Sequence, residues 1–293
     1  MKLPSVPNNQ RWELPARTLL EELFGRSSVN VKSKMKLSSL LDNQQSDPLA
    51  KPLLDQIFES MDDPHDWANG NWLFPRAVKL LGVTAYRKDL LNGILLSIGS
   101  KTDSTQRSVS SAVVEYMKSI PTTSEGDEYS VAAFVDDLLD RATSNITSNA
   151  IVIPLFQTFN ILLEAEILHR LADDSDGCTR LQRLCACATK NVTKWKNVQR
   201  INEAMKIVIG LLSFEGVRKE NIESLHNFLA HPFPKTRYGA AEYLYLQVES
   251  LDYGIEDTSE IESILLDTKW STISESEARE ASNRVVYLFL DVN

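Results

Sequence analysis

Apolar residues recur at spacings of three and four along most of the chain, which is the pattern of amphipathic helices. No stretch alternates with the period of a β-strand, so the pattern predicts an all-α fold. Asn69-Gly70 is interpreted as a turn, and Pro, Gly, Asp and Asn mark most other helix ends. The predicted helices cover 16–24, 47–58, 75–81, 90–98, 103–120, 131–139, 149–171, 177–190, 196–213, 217–229, 234–250, 257–267 and 274–290.

The most clearly marked helix start lies at Pro234, after a turn at 231–234. A proline in the first helical position loses no hydrogen bond that the helix would make. Arg237 follows, and then the small pair Ala240 and Ala241, which lets another helix approach closely. This segment resembles the second helix of a HEAT repeat, in which a proline turn precedes an arginine and paired alanines. Such a helix cannot bury its apolar stripe alone, so we expect a HEAT/armadillo-like α-solenoid of antiparallel helix pairs.

A weaker copy of the same pattern lies upstream. Arg107 stands where Arg237 stands, and Ser110 and Ser111 take the places of the two alanines. For both arginines we expect a structural role, pairing with an acidic residue of the adjacent repeat, rather than a catalytic one. In domain terms, residues 1–46 are expected to form a poorly ordered arm, a short helix and a linker, and 47–293 one α-solenoid.

Composition narrows the function classes. The 293 residues are 43% hydrophobic and 24% charged, with a net charge of −9. An acidic chain is a poor match for a phosphate backbone, so nucleic acid is not an expected partner. No apolar run approaches the roughly 20 residues that span a bilayer, and the start lacks a signal peptide's apolar segment, which favours a cytoplasmic location without a membrane span.

Catalytic patterns are absent from the sequence. It has no Gly-rich phosphate loop, no His-Glu-x-x-His and no Gly-x-Ser-x-Gly. His226 and His231 could form a metal pair, but no carboxylate or thiol stands at ligand spacing beside them. Cys178, Cys185 and Cys187 are interpreted as buried small hydrophobes. We therefore expect no catalytic residue, metal or cofactor, and a protein that is not an enzyme.

Charge is distributed unevenly along the chain. Residues 180–206 hold seven basic residues and one acidic residue, whereas residues 249–293 hold eleven acidic and three basic residues. For any single lysine a solvated helix face is the simpler interpretation, but the cluster as a whole favours a partner. Reversing Lys194, Lys196 and Arg200 together is expected to leave melting nearly unchanged. The candidate partner-binding residues are Arg180, Arg183, Lys190, Lys194, Lys196 and Arg200.

Two stretches resemble the C-terminal region of the tubulin-folding cofactor D family. The first runs from Leu90 to Arg107 and continues to Lys118. The second combines the turn at 231–234 and Arg237 with Leu265-Leu266 and a Thr-x-Trp ending in Trp270, followed by an Arg-rich last helix. The resemblance is expected to be strong over 84–121 and 213–290 and weak over 1–60, and it implies a segment of a longer chain.

The resemblance implies a solenoid that captures β-tubulin and joins it to α-tubulin. It implies cofactors E and C and an Arf-like small GTPase as further partners, stimulation of GTP hydrolysis on tubulin, and association with microtubules. Because tubulins are acidic, the basic cluster would face them. The residues expected to hold structural positions of the repeats are Arg107, Pro234, Arg237, Ala240, Ala241 and Trp270.

Two other classes remain open from the residues alone. One is a HEAT-type scaffold or cargo-adaptor solenoid unrelated to tubulin, and the other is an all-α enzyme with a site built from scattered carboxylates. Association with β-tubulin would favour the cofactor D interpretation over an unrelated scaffold. Catalytic turnover of a substrate would be needed to favour the enzyme interpretation.

Overall fold

The sequence pattern folds as helices wherever the structure describes the chain. The computed structural model describes residues 70–291 except 125, 127, 173–174 and 251–256. The helices predicted before residue 70, and the predicted boundary at residue 46, lie outside the described residues. Within them there are eleven α-helices and no strand, which confirms the all-α prediction. The helices are α1 (Gly70–Ala77), α2 (Thr84–Ile98), α3 (Asp103–Ser119), α4 (Val131–Ser144), α5 (Asn149–Glu164), α6 (Ser175–Thr189), α7 (Val198–Gly210), α8 (Arg218–Leu229), α9 (Pro234–Ser250), α10 (Ser259–Asp267) and α11 (Glu275–Asp291).

Helix ends follow local sequence chemistry over most of this range. Helix α9 begins at Pro234, as its missing N–H predicts. Helix α7 is capped by Asn197, whose side chain accepts the Arg200 N–H at 2.9 Å. The predicted turn at Asn69-Gly70 is wrong for Gly70, which begins α1. A Cβ at Gly70 would lie 3.0 Å from the Cβ of Ser108, so the glycine lets α1 and α3 approach closely.

The chain divides into two compact units, Met1–Ser130 and Val131–Asn293. In the described part of the first unit, α3 packs against both α1 and α2. The Arg87 guanidinium lies over the Tyr129 ring, with 4.2 Å between its central carbon and the ring centroid. Burial, the largest effect, raises the pKa of Tyr116 to about 12, so this phenol stays protonated at any physiological pH.

The second unit consists of two layers of helices. Helices α4, α6, α8 and α11 pack side by side in the first layer, and α5, α7, α9 and α10 in the second. The first three helices of each layer run parallel, as the contacts between α4 and α6 show. Asp136 and Asp140 of α4 pair with Arg180 and Arg183 of α6, so the two helices start at the same end. Successive helices therefore alternate in direction, which is the predicted solenoid of antiparallel pairs.

The last helix pair enters the layers in reverse order. Helix α10 packs against α9 in the second layer, and α11 packs against α8 in the first. The start of α10 and the middle of α11 are joined by an ion pair of 2.6 Å between Glu260 and Arg284. The loop between α10 and α11 consequently lies beside the start of α9, where Arg237 is located.

Close packing also fixes the entry to α6. A Cβ at Gly177 would lie 1.8 Å from the carbonyl oxygen of Leu171, so only glycine fits between α6 and the preceding turn of 3-10 helix. The interior is aliphatic and aromatic, and α5 contributes Phe156 and Phe159, which are fully buried. None of the helices in the described part of the chain is long and apolar enough to cross a membrane.

Candidate partner-binding surface

Four loops lie together at one edge of the second unit, named here the loop edge. Three of them, 145–148, 190–197 and 230–233, follow α4, α6 and α8, which run in the same direction. The fourth, 268–274, is joined to the loop at 230–233 by Arg237. Because connections between alternating helices carry side chains that packing does not require, this edge is the natural place to look for a binding surface.

Arg237 holds two of these loops together. Its side chain is 2% exposed. Nε donates to the Trp270 carbonyl at 3.0 Å and Nη2 to the Ile273 carbonyl at 2.9 Å, both in the loop 268–274. Nη1 donates to the carbonyls of His231 at 3.0 Å and Pro232 at 3.4 Å. The predicted acidic partner is therefore wrong: backbone carbonyls of two loops accept hydrogen bonds from all three nitrogens of the planar guanidinium.

The other predicted repeat residues of this region are buried around Arg237. Trp270 is 1% exposed, and its indole N–H donates to the Leu265 carbonyl at 3.0 Å. Ala240 and Ala241 are 1% and 2% exposed on α9. Arg107 differs, since it lies exposed on α3 and has none of the buried carbonyl contacts of Arg237. The sequence match between the two arginines does not extend to their surroundings.

His231 is buried in the loop 230–233, close to the backbone of Val192 in the loop 190–197. Its Nδ1 accepts the Phe233 N–H at 3.0 Å, and the residue is fully buried. Burial lowers its pKa, the backbone of Val192 in the neighbouring loop raises it, and the Arg237 charge lowers it further. The ring of Phe233 lies 5.1 Å from the imidazole and remains 38% exposed. The imidazole is thus a neutral structural element beneath an exposed aromatic ring.

Arg200 is not on the surface, which corrects its assignment to the candidate interface. The side chain is 4% exposed, and its guanidinium carbon lies 3.8 Å from the centroid of the Trp195 ring. Nη2 donates to the Ile146 carbonyl at 2.7 Å, and Nη1 donates to the Asn149 side chain at 3.2 Å. Burial lowers the pKa of this guanidinium. Arg200 therefore fastens the loop 145–148 to the start of α7.

Arg180 and Arg183 are occupied by internal ion pairs. Arg180 contacts Asp136 at 2.9 Å, and Arg183 contacts Asp136 at 3.2 Å and Asp140 at 2.8 Å. The Arg180 side chain is 19% exposed and that of Arg183 is 43% exposed. Their charge is largely compensated by α4, so these two arginines contribute less positive potential than their sequence position predicted.

The three lysines of the predicted cluster are exposed on the loop edge. Lys190, Lys194 and Lys196 lie on or beside the loop 190–197, and none forms an ion pair with another described residue. Sequence reasoning missed two neighbours, exposed Lys235 and Phe233, because they lie about forty residues downstream. The alternation of helices could have found them, since the loops after α6 and α8 must share an edge. We name these residues the lysine edge: Lys190, Lys194, Lys196, Lys235 and Phe233.

Carboxylates are absent from the four loops themselves. The nearest in sequence flank the loop 268–274, beside Lys269. Asp267 accepts the Ser263 hydroxyl at 2.8 Å, and Glu277 caps its own helix by accepting the Ser274 N–H at 2.8 Å. Positive charge on the loop edge is therefore concentrated at the loop after α6 and the first turn of α9.

The histidines and cysteines were the other candidate ligands in the sequence. Across residues 70–291, apart from the short gaps, no three His, Cys, Asp or Glu side chains gather as metal ligands. Cys178, Cys185 and Cys187 are free thiols, and burial, the largest effect, raises the pKa of Cys185. His226 lies 3.2 Å from the Ser282 hydroxyl, which joins α8 to α11.

The architecture defines a helical-repeat protein that presents a lysine-bearing edge of loops, the class to which many partner-holding scaffolds belong. The family model described as "Tubulin folding cofactor D C terminal" matches residues 5–200, and the chain belongs to this family. Membership supports a role in tubulin folding. No solved structure matches the chain.

The extent of the family match differs from the extent expected from the sequence. It includes residues 5–60, where the resemblance was expected to be weak, and it ends before 213–290, where it was expected to be strong. The matched range contains the loop 190–197 and its three lysines. Arg237 and Trp270 lie beyond it.

Proposed function

We propose that this chain is a tubulin-folding cochaperone segment that binds β-tubulin and supports assembly of the α/β-tubulin heterodimer. Cofactors E and C and an Arf-like small GTPase are the proposed companions, with the cytoplasm and microtubules as the proposed location. The observation that carries the proposal is the family match over residues 5–200. The helical-repeat architecture supports it, because stacked helix pairs offer an extended surface to a large partner.

The exposed lysines give this proposal a physical contact. Lys190, Lys194 and Lys196 lie inside the matched range and have no internal ion pairs among the described residues. Lysines on one edge would steer an acidic partner toward this surface and raise the association rate more than the final affinity. Arg180, Arg183 and Arg200 are removed from the proposed contact, because internal carboxylates, carbonyls and an aromatic ring already hold them.

Stimulation of GTP hydrolysis, if the chain contributes to it, is proposed to belong to the assembly with tubulin. Arg237 and Arg200 are buried in internal hydrogen bonds and cannot insert into a partner's nucleotide site without unfolding the loop edge. Arg107 is exposed, and no hydrogen bond or ion pair with another described residue positions it. We therefore propose a holding role for this chain, with the hydrolytic groups supplied by tubulin.

The test is capture of purified β-tubulin by the immobilised chain, followed by heterodimer formation when α-tubulin and cofactors E and C are added. Capture of β-tubulin, and faster heterodimer formation than without the chain, would support the proposal. Capture of other cytosolic proteins with no retention of tubulin would instead favour a scaffold unrelated to tubulin. Limited proteolysis tests the proposed domain boundary, since cleavage confined to residues 1–46 would leave the solenoid from 47 onward intact.

A further inference from the structure

We infer that the lysine edge binds an extended acidic polypeptide segment that carries an apolar side chain between its carboxylates. The surface is Lys190, Lys194 and Lys196 from the loop after α6, together with Lys235 and Phe233 from the loop after α8 and the first turn of α9. This goes beyond the proposed function, because it defines the chemistry that is recognised and does not require that the segment belong to tubulin.

The backbone beneath these side chains is fixed, which favours a preorganised surface. His231 is buried between the two loops, and Arg237 fastens 230–233 to 268–274 through four carbonyls. On the other side, Arg200 is stacked on Trp195 and bound to the Ile146 carbonyl. The loops therefore do not need to be ordered on binding, so little conformational entropy is lost there.

Charge gives the surface its selectivity for carboxylates. Three lysines lie on the loop 190–197 and the fourth, Lys235, in the first turn of α9. Neither segment contains Asp or Glu, and each lysine is exposed without an ion pair among the described residues. Phe233 is 38% exposed beside Lys235 and provides the apolar contact. An uncompensated group of four cations on a chain of net charge −9 is a local field that an acidic segment complements.

Geometry sets the spacing of the carboxylates. Helices α6 and α8 are neighbours in one layer, and packed helices lie about 8–10 Å apart, so their loops are separated by a similar distance. An extended segment in the polyproline II conformation advances about 3.1 Å per residue and repeats its side-chain direction every third residue, so carboxylates about three residues apart would face the surface together and reach successive loops. The apolar residue would lie between them, over Phe233.

A protein segment fits this surface better than nucleic acid does. Arginine is the side chain whose planar fork recognises phosphate, and the two arginines in the first turns of α7 and α9, Arg200 and Arg237, make internal hydrogen bonds instead. The overall negative charge of the chain would also repel a long phosphate backbone. The exposed lysine ammonium groups would instead form ion pairs with the carboxylate side chains of the bound segment.

The test uses the full chain and a fluorescently labelled peptide with Glu at every third position and one central Leu. Its control peptide has Gln in place of each Glu. Anisotropy at low salt is expected to show binding of the Glu peptide that weakens steeply with added salt, and no binding of the Gln peptide. Equal binding of both peptides, or tighter binding of a single-stranded RNA, would overturn the inference.

Variants locate the site. Lys194→Glu and Lys235→Glu are each expected to weaken binding of the Glu peptide at least about threefold. The double variant is expected to weaken it about tenfold or more. Lys219→Glu is the matched control, because Lys219 is an exposed lysine at the opposite edge, in the first turn of α8. Equal losses in Lys219→Glu and Lys194→Glu would refute the site. Loss of tubulin capture with intact peptide binding would instead count against the proposed function alone.

Discussion

Replacing Arg237 by alanine tests how the loop edge is held together. The guanidinium makes four hydrogen bonds to carbonyls of two loops, at 2.9–3.4 Å, and the side chain is 2% exposed. A hydrogen bond to a charged donor contributes about 1.5–3 kcal/mol. The four hydrogen bonds come from one side chain, so their contributions do not add fully, and water would enter the space left by truncation. We therefore expect the free energy of unfolding to fall by about 3–5 kcal/mol.

Two matched variants separate the causes of this loss. Arg237→Lys keeps the charge but lacks the planar fork, so it can satisfy only part of the carbonyl set and should lose an intermediate amount. Arg107→Ala removes an exposed arginine from α3 and is expected to change stability by no more than about 0.5 kcal/mol. The order of stability is then wild type and Arg107→Ala, followed by Arg237→Lys and finally Arg237→Ala.

Urea unfolding monitored by circular dichroism measures the size of the stability loss. Hydrogen exchange of the loop 268–274 shows where in the structure the loss occurs. The exchange of this loop should rise in Arg237→Ala before the rest of the second unit opens, because the loop loses its anchor. A loss below about 1 kcal/mol in Arg237→Ala, or an equal loss in Arg107→Ala, would show that the carbonyl contacts do not stabilise the edge.

Three further outcomes are expected. Gly177→Ala should destabilise by at least about 2 kcal/mol in thermal melts, because its Cβ would lie 1.8 Å from a backbone oxygen, whereas Gly239→Ala, with open space around it, should stabilise by up to about 1 kcal/mol. Arg200→Glu should lower the melting temperature strongly and exposed Lys194→Glu hardly at all; equal melting of the two would contradict the burial of Arg200. The pKa of folded His231 lies below its ordinary 6.5, so the unfolded chain takes up more protons than the folded chain as the pH falls through about 6.5. The contribution of His231 to stability is therefore complete above that pH and declines below it. Denaturant midpoints measured across this pH range test this. A midpoint that does not fall on acidification would contradict a neutral buried imidazole.

Helix periodicity was enough to predict most of the described fold. From residue 131 onward most predicted and observed helices differ at their ends by a few residues, and the start of α9 at Pro234 was predicted from the proline. The predicted helix 149–171 was too long: it ends at Glu164, Glu166 has a left-handed backbone, and Leu168–Leu171 forms a separate 3-10 turn. Local chemistry sets these features, so a single sequence reveals them. The interpretation of Gly70 as a turn was wrong, because the contact that requires a glycine there comes from Ser108, far along the chain.

The candidate surface was only partly predictable, since it depends on contacts between distant residues. The basic cluster was recognised, but Arg180, Arg183 and Arg200 find partners on α4 and in the loop 145–148. Local charge counts cannot distinguish an arginine that faces solvent from one that a neighbouring repeat neutralises. Lys235 was missed for the opposite reason, because it joins the cluster only through the stacking of α6 and α8.

The association rate of β-tubulin with the chain, measured across salt concentrations, tests the central claim most directly. We predict binding whose rate falls as salt rises and a several-fold slower rate for Lys194→Glu, with Lys219→Glu close to wild type, because the lysine edge steers the acidic partner. An absence of binding, or a rate that depends on neither salt nor Lys194, would contradict the account.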